Sequence, residues 1–197
     1  MYEYKSNQDV VVKSCSHNEY NNNPHSSWPQ ESKKLLEQLF HDCNHSEGWA
    51  LDEKDEIIQG APRRRFHGAT GDKMFLYSYF VNPVKGRGEG LCLWGKWTEG
   101  ETEGFVHSGA LSTILDTLGG RLAVAVLGAD VLTACMNVNF HEAVRLGQTT
   151  RVHASVEEVS GRKIWVSCKI TSHDDSVLFS DARMLFVGPH SSSQGKL

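Results

Sequence analysis

The segment Gly104–Thr117 holds the residues of this sequence that are best suited to chemistry. A small polar group, His107-Ser108-Gly109, comes directly before an apolar pattern, and a single carboxylate, Asp116, follows nine residues after the histidine. The first backbone N–H groups of a helix have no partner within the helix, so those of Ser108 and Gly109 could donate to an oxyanion on a reacting carbonyl group. Asp116 could act on the same group as a general base or as a nucleophile, and we leave both roles open.

An amphipathic helix, predicted over residues 108–127, must position these groups. Its apolar residues recur at the spacing of one helix face, and they are Leu111, Ile114, Leu115, Leu118 and Leu122. Asp116 therefore lies in the middle of a helix that should be buried, where a carboxylate is costly unless it is paired or functional. The alternative is an Asp that faces solvent. Gly119-Gly120 weakens a helix interior, so we expect the helix to pack closely against a sheet there.

Strand patterns surround this helix on both sides in the sequence. Met74–Val81 and Leu91–Trp97 precede it, and the glycine-rich residues 86–90 between them predict a hairpin turn. A dinucleotide-binding loop is excluded there because no helix follows the glycines. Four more strands are predicted at 132–140, 148–158, 163–172 and 177–187. The order β-β-α-β-β-β-β predicts an α+β fold in which an antiparallel sheet wraps around a long central helix.

The remaining segments flank this domain. Residues 1–27 are polar and are predicted to form a flexible arm, followed by a short amphipathic helix that begins at Ser27 and ends near Cys43-Asn44. A short helix is marginal alone, so we expect it to dock on the main domain as an N-terminal extension. We therefore divide the chain into an arm and docking helix over 1–70, the main domain over 71–190 and a polar tail over 191–197.

Composition and charge argue against several classes of function. The formal net charge of −4 does not indicate a nucleic-acid partner, and we expect no membrane span. Five cysteines without CxxC spacing predict free, buried thiols in a reducing compartment. We expect no metal, since His41 and His45 could share one helix face but have no third ligand nearby. Pro62–Arg65 is interpreted as a solvated loop, with a phosphate contact as the alternative.

The order of elements and the His107 to Asp116 spacing resemble the hotdog-fold acyl-CoA thioesterases, and within them the carboxyl-terminal modulator protein group. In that group a His-Gly-Gly opens the central helix, and a catalytic Asp lies nine residues after the His. Thr133–Phe140 is similar to the family's Thr-Ala-x-Leu-x-Ile-x-Tyr strand. Val159–Cys168 is similar to its Val-Glu-Gly-Arg-Lys-x-x-x-Ser-Cys segment. The resemblance covers residues 70–190 and implies the hotdog fold.

The resemblance implies that the protein hydrolyses medium- to long-chain fatty acyl-CoA to free fatty acid and CoA, without a cofactor. The implied catalytic residues are His107, Ser108, Gly109, Asp116 and Thr133, with Thr133 orienting the water. The expected substrate-binding residues, which could contact the CoA phosphates or the substrate, are Asn139, His141, Arg162 and Lys163.

This chain departs from the family pattern at two positions. Ser108 replaces the first family glycine, which preserves the backbone amide but adds a side chain beside an incoming thioester. His141 stands where relatives often have a Lys. The alternative function is a hotdog regulatory protein with little or no catalysis that binds acyl-CoA or a kinase, because the group includes a member described as a kinase modulator.

Helix geometry adds a prediction that does not depend on the resemblance. Asp116 is eight residues beyond Ser108, which is about 12 Å along a helix. A base must lie within about 3 Å of its proton, or one water away. Two antiparallel helices from two subunits would bring each Asp to the start of the other helix, so we predict a two-fold homodimer. A dimer of dimers, a peripheral membrane contact and a cytoplasmic or mitochondrial location stay open; no transit peptide is visible in the chain.

Overall fold

A seven-stranded antiparallel sheet and one long helix form the main body of the protein in a computed structural model, which describes residues 28–44, 46–51 and 74–189. The helices are α1 (Gln30–Asn44) and α2 (Ser108–Leu127), and Lys96–Thr98 forms one 3-10 turn. The strands are β1 (Ala50–Leu51), β2 (Phe75–Asn82), β3 (Arg87–Trp94), β4 (Leu132–Phe140), β5 (Thr149–Ser160), β6 (Lys163–Ser172) and β7 (Leu178–Val187). Their order in the sheet is β1-β2-β3-β5-β6-β7-β4, and every neighbouring pair is antiparallel. The predicted α+β arrangement around a central helix is confirmed.

The apolar face of α2 packs on the inner face of the sheet and contacts strands β2 to β7. The five residues of the predicted stripe are at most 3% exposed. A Cβ atom added at Gly119 would lie 2.6 Å from Met184 Cε and 3.1 Å from Cys168 Sγ, which is closer than real Cβ contacts allow. The expected close packing at Gly119-Gly120 is therefore confirmed. It sets the distance between α2 and strands β6 and β7.

Helix α1 docks on the opposite face of β2 and β3. Its buried residues Leu36 and Leu39 pack with Phe80 of β2 and Leu91 of β3. Successive strand residues point to opposite faces, so Phe80 and Leu91 face α1 while their neighbours Tyr79 and Cys92 face the α2 core. The docking of this helix and its end near Asn44 were predicted correctly, but the helix begins at Gln30 and not at Ser27.

Strands β2 and β3 form the predicted hairpin, but its turn covers residues 83–86 and not 86–90. Gly86 N–H donates to the Pro83 carbonyl at 3.3 Å, and Gly86 adopts φ +61°. Gly88 and Gly90 lie within β3, because the ring of Tyr79 covers them. A Cβ atom at Gly88 would overlap the Tyr79 hydroxyl, and one at Gly90 would lie 2.8 Å from Tyr79 Cδ2. These glycines thus make room for a buried aromatic side chain.

Several other expectations need correction. Trp97 belongs to the 3-10 turn and not to a strand, and the short strand β1 was not predicted. Cys135 is exposed, whereas Cys43, Cys92 and Cys168 are buried free thiols as expected. By length and hydropathy α2 could span a membrane, contrary to the expectation that no segment could, but here it is the core helix. The predictions for the arm, for Pro62–Arg65, for the 70/71 boundary and for the tail lie outside the described residues.

Candidate active site

The start of α2 is held by the residue that precedes it. His107 is the N-cap, with extended backbone angles, and its Nδ1 accepts a hydrogen bond from Gly109 N–H at 2.9 Å. The His107 N–H donates to the Thr98 carbonyl at 2.7 Å. Gly100 packs against the same backbone, since a Cβ atom there would lie 3.3 Å from His107 Cα. The 3-10 turn and the loop that follows it therefore fix where the helix begins.

The hydrogen bonds of this cap determine which backbone N–H groups at the helix start remain free to bind a ligand. Gly109, one of the two predicted oxyanion donors, gives its N–H to His107, while the Ala110 and Leu111 N–H groups reach the His107 carbonyl at 2.9 and 3.4 Å. The other predicted donor, the Ser108 N–H, makes no hydrogen bond to any part of the chain that the structure describes. Ser, Thr, Asp and Asn are the usual N-caps, so a capping histidine was not expected from the sequence.

A cavity of about 600 Å³ opens beside the start of the helix. Residues around it include Glu101, Thr102, Phe105, His107, Ser108 and Ala143. The Arg145 guanidinium lies over the Phe105 ring, 5.3 Å from its centroid, which supports the wall of the cavity. Its volume falls within the range of small-molecule sites, roughly 300–1,000 Å³. A ligand in this cavity would meet the free Ser108 amide.

Asp116 and Thr133 form the second group. The Thr133 hydroxyl donates to Asp116 Oδ1 at 2.6 Å, which joins α2 to the first part of β4. A β-bulge between Thr133 and Cys135 interrupts the register of β4 with β7 at this point. Burial and then the Asp116 charge raise the pKa of the Cys168 thiol, so the carboxylate lies toward β6. No described residue hydrogen-bonds Asp116 Oδ2, which leaves one carboxylate oxygen available for a water or a ligand.

The Ser108 amide and Asp116 are not neighbours within one chain. Both belong to α2, which is one continuous helix of 20 residues. Their separation of eight residues corresponds to about 12 Å along the axis. A single chain therefore holds a free helix-start amide and a carboxylate that are too far apart to act on one substrate atom.

Asn139 and His141 converge on a carboxylate that sequence reasoning missed. Asn139 Nδ2 donates to Asp181 Oδ1 at 2.9 Å, and His141 Nε2 lies 2.5 Å from Asp181 Oδ2. The His141 hydrogen bond, more than the one from Asn139, holds the pKa of Asp181 below its usual range against the opposing effect of burial. Asp181 lies opposite Asn139 in the β4–β7 register, so only the strand pairing could have identified it.

Arg162 and Lys163 lie at the other end of the sheet. Arg162 Nη1 donates to the Gly188 carbonyl at 3.1 Å, which orients the guanidinium at the β5–β6 turn. Lys163 opens β6 and is exposed. Lys163 and Leu132 both pair with Val187 of β7, so Lys163 lies at the Leu132 end of β4. The Asn139 end is about 20 Å away, at roughly 3.4 Å per residue. Within one chain, the four residues expected to bind substrate thus form two groups, of which only Arg162 and Lys163 are near Thr133.

A further polar cluster, the His153 cluster, lies on the outer face of the sheet, away from α2. His153 Nδ1 contacts Glu89 at 2.5 Å and its Nε2 contacts Asp175 at 2.7 Å, while Arg151 and Thr171 also bond Asp175. Burial works to lower the pKa of His153, but the two carboxylates outweigh it and raise the pKa. Burial acts to raise the pKa of Asp175, but the hydrogen bonds from Thr171 and His153 lower it below its usual range. This cluster joins β3, β5 and the β6–β7 turn.

The end of α1 covers this cluster and encloses a second cavity of about 290 Å³. Cys43 lines the cavity, and burial followed by the charge of Glu89 raises the pKa of its thiol to about 12. A thiol in that state stays protonated and unreactive at neutral pH. Among the described residues, no group of His, Cys, Asp and Glu side chains is arranged to hold a metal ion.

Comparison with known proteins identifies the group to which this arrangement is similar. Residues 103–179 match the Thioesterase superfamily. Acyl-coenzyme A thioesterase THEM4 from Rattus norvegicus is 34% identical over 189 residues, which cover 83% of this chain and 79% of that protein. The protein of the same name from Xenopus laevis is 37% identical over 113 residues, covering 57% of this chain but only half of the relative.

Solved structures support the fold. A hypothetical thioesterase protein from Streptococcus pneumoniae TIGR4, crystallised with coenzyme A, aligns with a TM-score of 0.50. The alignment covers 55% of this chain and 85% of that chain, at 17% sequence identity. At this identity the likeness bears on the fold alone. It agrees with the sheet order and the central helix described above, and the predicted hotdog fold is confirmed.

Proposed function

This chain belongs to the thioesterase superfamily, and from that membership we propose that it hydrolyses acyl-CoA thioesters to free fatty acid and CoA. The relatives named acyl-coenzyme A thioesterase support the substrate class. The observation that carries the proposal is the Asp116 carboxylate, held at Oδ1 by the Thr133 hydroxyl at 2.6 Å, with its second oxygen open. Asp116 is only partly buried, so water can reach this open oxygen, as a general base requires.

Each group has a role in the proposed reaction. The Ser108 amide, at the positive end of α2, stabilises the oxyanion that forms on the thioester carbonyl. Asp116 takes a proton from water through Oδ2, the water oxygen bonds to the carbonyl carbon, and the carbon–sulfur bond then breaks. The proton passes to the CoA thiolate as it leaves. We propose the general-base role for Asp116 because its hydrogen bond to Thr133 aims one oxygen while leaving the other for water.

The nucleophilic role makes a different prediction for isotopic labelling. If Asp116 attacked the thioester directly, an anhydride would form, and hydrolysis at the protein carbonyl would leave solvent oxygen in the Asp116 side chain. A single turnover in H₂¹⁸O, followed by mass spectrometry of the peptide that contains Asp116, distinguishes general-base catalysis from an anhydride that is hydrolysed at the protein carbonyl. General-base catalysis places ¹⁸O only in the released fatty acid. Label in the Asp116 peptide would exclude it.

The distance between Ser108 and Asp116 supports the proposal of a homodimer with two shared sites. Small residues follow the side of α2 that faces away from the leucine stripe, at positions Gly109, Ser112, Thr113 and Thr117. Small side chains allow two helices to approach closely. Ser112 is midway between Ser108 and Asp116, so antiparallel contact centred on Ser112 would set each Asp116 opposite the partner's Ser108 amide. Each site would then take its oxyanion donor from one subunit and its base from the other.

The open edge of the sheet supports the same assembly. Among the described strands β4 pairs only with β7, and its other edge has no strand beside it. Leu132 is 79% exposed and Phe140 49% exposed on this strand. An unpaired edge with apolar side chains is a template for a second strand. Antiparallel pairing of two β4 strands would also bring the end that carries Asn139 and His141 beside the Thr133 end of the partner.

Mixed dimers test the shared site. An Asp116→Asn chain and a chain with a proline at Ser108, which removes the N–H, would each be inactive alone. Proline is tolerated at the first position of a helix, so the second chain should fold. Mixing the two chains should restore activity, because one heterodimer site combines both intact groups. Failure to recover any activity, at any ratio and with heterodimers demonstrated, would refute shared sites.

The proposed CoA contacts lie near both ends of β4 in such a dimer. Arg162 and Lys163 are available to the nucleotide phosphates, with Arg162 already oriented by Gly188. Asn139 and His141 would add hydrogen bonds but no net positive charge, because the Asp181 carboxylate that holds both balances an imidazolium. The expected preference for medium- to long-chain acyl groups is measured with a panel of acyl-CoA substrates of increasing chain length. A maximum at short or aryl acyl groups would contradict that preference without affecting hydrolysis itself.

The decisive experiment follows release of the CoA thiol from a long-chain acyl-CoA with a thiol reagent. Asp116→Asn keeps the size of the side chain but removes the base, and we expect a loss of about 10²–10⁴ in kcat. Asp130→Asn is the matched control, since Asp130 is exposed just beyond α2; it should keep wild-type activity. Equal background rates in wild type and Asp116→Asn would contradict the proposal. If acyl-CoA still bound in that case, the result would favour the regulatory alternative.

A further inference from the structure

The hydrogen bond that caps α2 fixes the protonation pattern of His107. Gly109 N–H donates to His107 Nδ1 at 2.9 Å, so Nδ1 must carry a lone pair. In a neutral imidazole one nitrogen is an acceptor and the other a donor, so the proton is on Nε2. His107 therefore presents Nε2–H as a donor of defined position.

This donor is beside the proposed site of reaction. His107 and Ser108 both line the cavity of about 600 Å³ at the start of α2. His107 is exposed, and its Nε2 makes no hydrogen bond with any residue in the described ranges. Glu101, on the wall of the same cavity, can only accept when ionised. The cavity thus holds an unused side-chain N–H one residue away from the free Ser108 amide.

We propose that His107 is a catalytic residue whose Nε2–H is the second donor to the thioester oxyanion, in place of the Gly109 amide that the sequence suggested. This inference rests on the proposed thioester hydrolysis. No proton leaves the imidazole in this role. Nε2–H hydrogen-bonds the carbonyl oxygen as negative charge develops on it, and the bond weakens again when the carbon–sulfur bond breaks. The Gly109 amide contributes indirectly, because it keeps the imidazole in the donor tautomer.

Three substitutions separate this catalytic role from the capping role. Ser is a good, neutral N-cap whose short side chain does not reach the position of Nε2, Asn caps and carries an N–H donor further out, and Ala does neither. If Nε2–H is an oxyanion donor, His107→Ser and His107→Ala should both lose about 10²–10³ in kcat. KM should change little, because the donor acts on charge that develops in the transition state. His107→Asn should retain at least tenfold more activity than His107→Ser.

Thermal unfolding of the same variants supplies the comparison. His107→Ser and His107→Asn should unfold near the wild-type temperature, and only His107→Ala should unfold earlier through loss of the cap. A purely structural His107 would make kcat follow this order, with His107→Ser as active as wild type. That result would overturn the proposal. Loss of kcat in His107→Ser with an intact unfolding temperature supports it.

A second readout does not require turnover. Long-range ¹H–¹⁵N NMR spectra distinguish the two neutral histidine tautomers, and His107→Asn assigns the signal. The Nε2–H tautomer at neutral pH supports the proposal, whereas Nδ1–H would overturn it even in an active enzyme. If wild type and Asp116→Asn hydrolyse acyl-CoA at the same background rate, the proposed function has failed. The tautomer, observed separately, still shows whether His107 offers the donor.

Discussion

The contribution of the hydrogen bond between Thr133 and Asp116 to catalysis can be tested by replacing one hydroxyl group. Thr133→Val replaces the hydroxyl with a methyl group and keeps the branched shape of the side chain. Asp116 Oδ1 then loses its donor at 2.6 Å, while α2 and β4 keep their packing. Thr133 is exposed in a single chain, so the stability of the fold should change by less than about 0.5 kcal/mol. Any large effect on the rate would therefore arise in the site.

The size of that effect follows from the charge on the acceptor. A hydrogen bond to a charged group is worth about 1.5–3 kcal/mol. Since roughly 1.4 kcal/mol corresponds to a factor of ten in rate, complete loss of the bond would lower kcat by about 10- to 150-fold. Solvent can replace part of the lost bond at an exposed pair, so we expect the lower part of that range, about 10- to 30-fold.

The assay compares Thr133→Val with Thr133→Ser, which keeps the hydroxyl and loses only the methyl group. Hydrolysis of one acyl-CoA is measured at saturating and at low substrate concentration, to separate kcat from KM. We expect Thr133→Ser to stay within a few-fold of wild type and Thr133→Val to lose kcat with little change in KM. Wild-type kcat in Thr133→Val, or an equal loss in both variants, would refute a role for the hydroxyl.

Three further predictions concern the scaffold and the polar cluster on the outer face. Gly119→Val should lower stability by about 1–3 kcal/mol in denaturant unfolding, because the added side chain overlaps Met184; unchanged stability would contradict the tight packing of α2. Leu36→Ala should cost about 2–5 kcal/mol in the docking of α1. Hydrogen exchange should then rise in α1 while hydrolysis is retained, and a loss of activity would show that α1 supports the site. His153→Gln removes an imidazolium that is held between two carboxylates. Because the pKa of His153 is raised in the folded state, this imidazolium stabilises the fold fully at acid pH, and the stabilisation is lost as pH rises through the folded-state pKa. The destabilisation should therefore be larger near about pH 6 than near about pH 9 in urea unfolding, and a constant difference would contradict the linkage.

Features that depend on local periodicity were predictable from the sequence. The leucine stripe of α2 repeats at the spacing of a helix face, and the structure buries all five of its members. The clean alternation of Lys163–Ser172 predicted β6 with its observed limits. In both elements the burial pattern is encoded within one short segment, so no knowledge of distant residues was required.

Features that depend on contacts between distant segments were not predictable. Gly88 indicated a turn, yet it lies in a strand because Tyr79, nine residues earlier, needs the space. Asp181 and the His153 cluster require the register of strands that are far apart in sequence. The loss of the Gly109 N–H as a free donor was hidden for a different reason. The His107 imidazole competes for the Gly109 N–H that the sequence assigned to the substrate.

The rotation of α2 joins the stability of the fold to the chemistry of the proposed site. Each helix residue turns the side chain by about 100°, so the orientation of Asp116 is set by Leu115, which is fully buried. That rotation directs Asp116 toward the edge strand β4, where Thr133 meets it, and turns the small residues Ser112 and Thr113 away from the sheet. The core thus fixes the direction of the base, and the helix start carries the donors about 12 Å away. Because no side-chain rotation can close that gap, we propose that a second α2 brings the base of one chain and the donors of the other to one thioester.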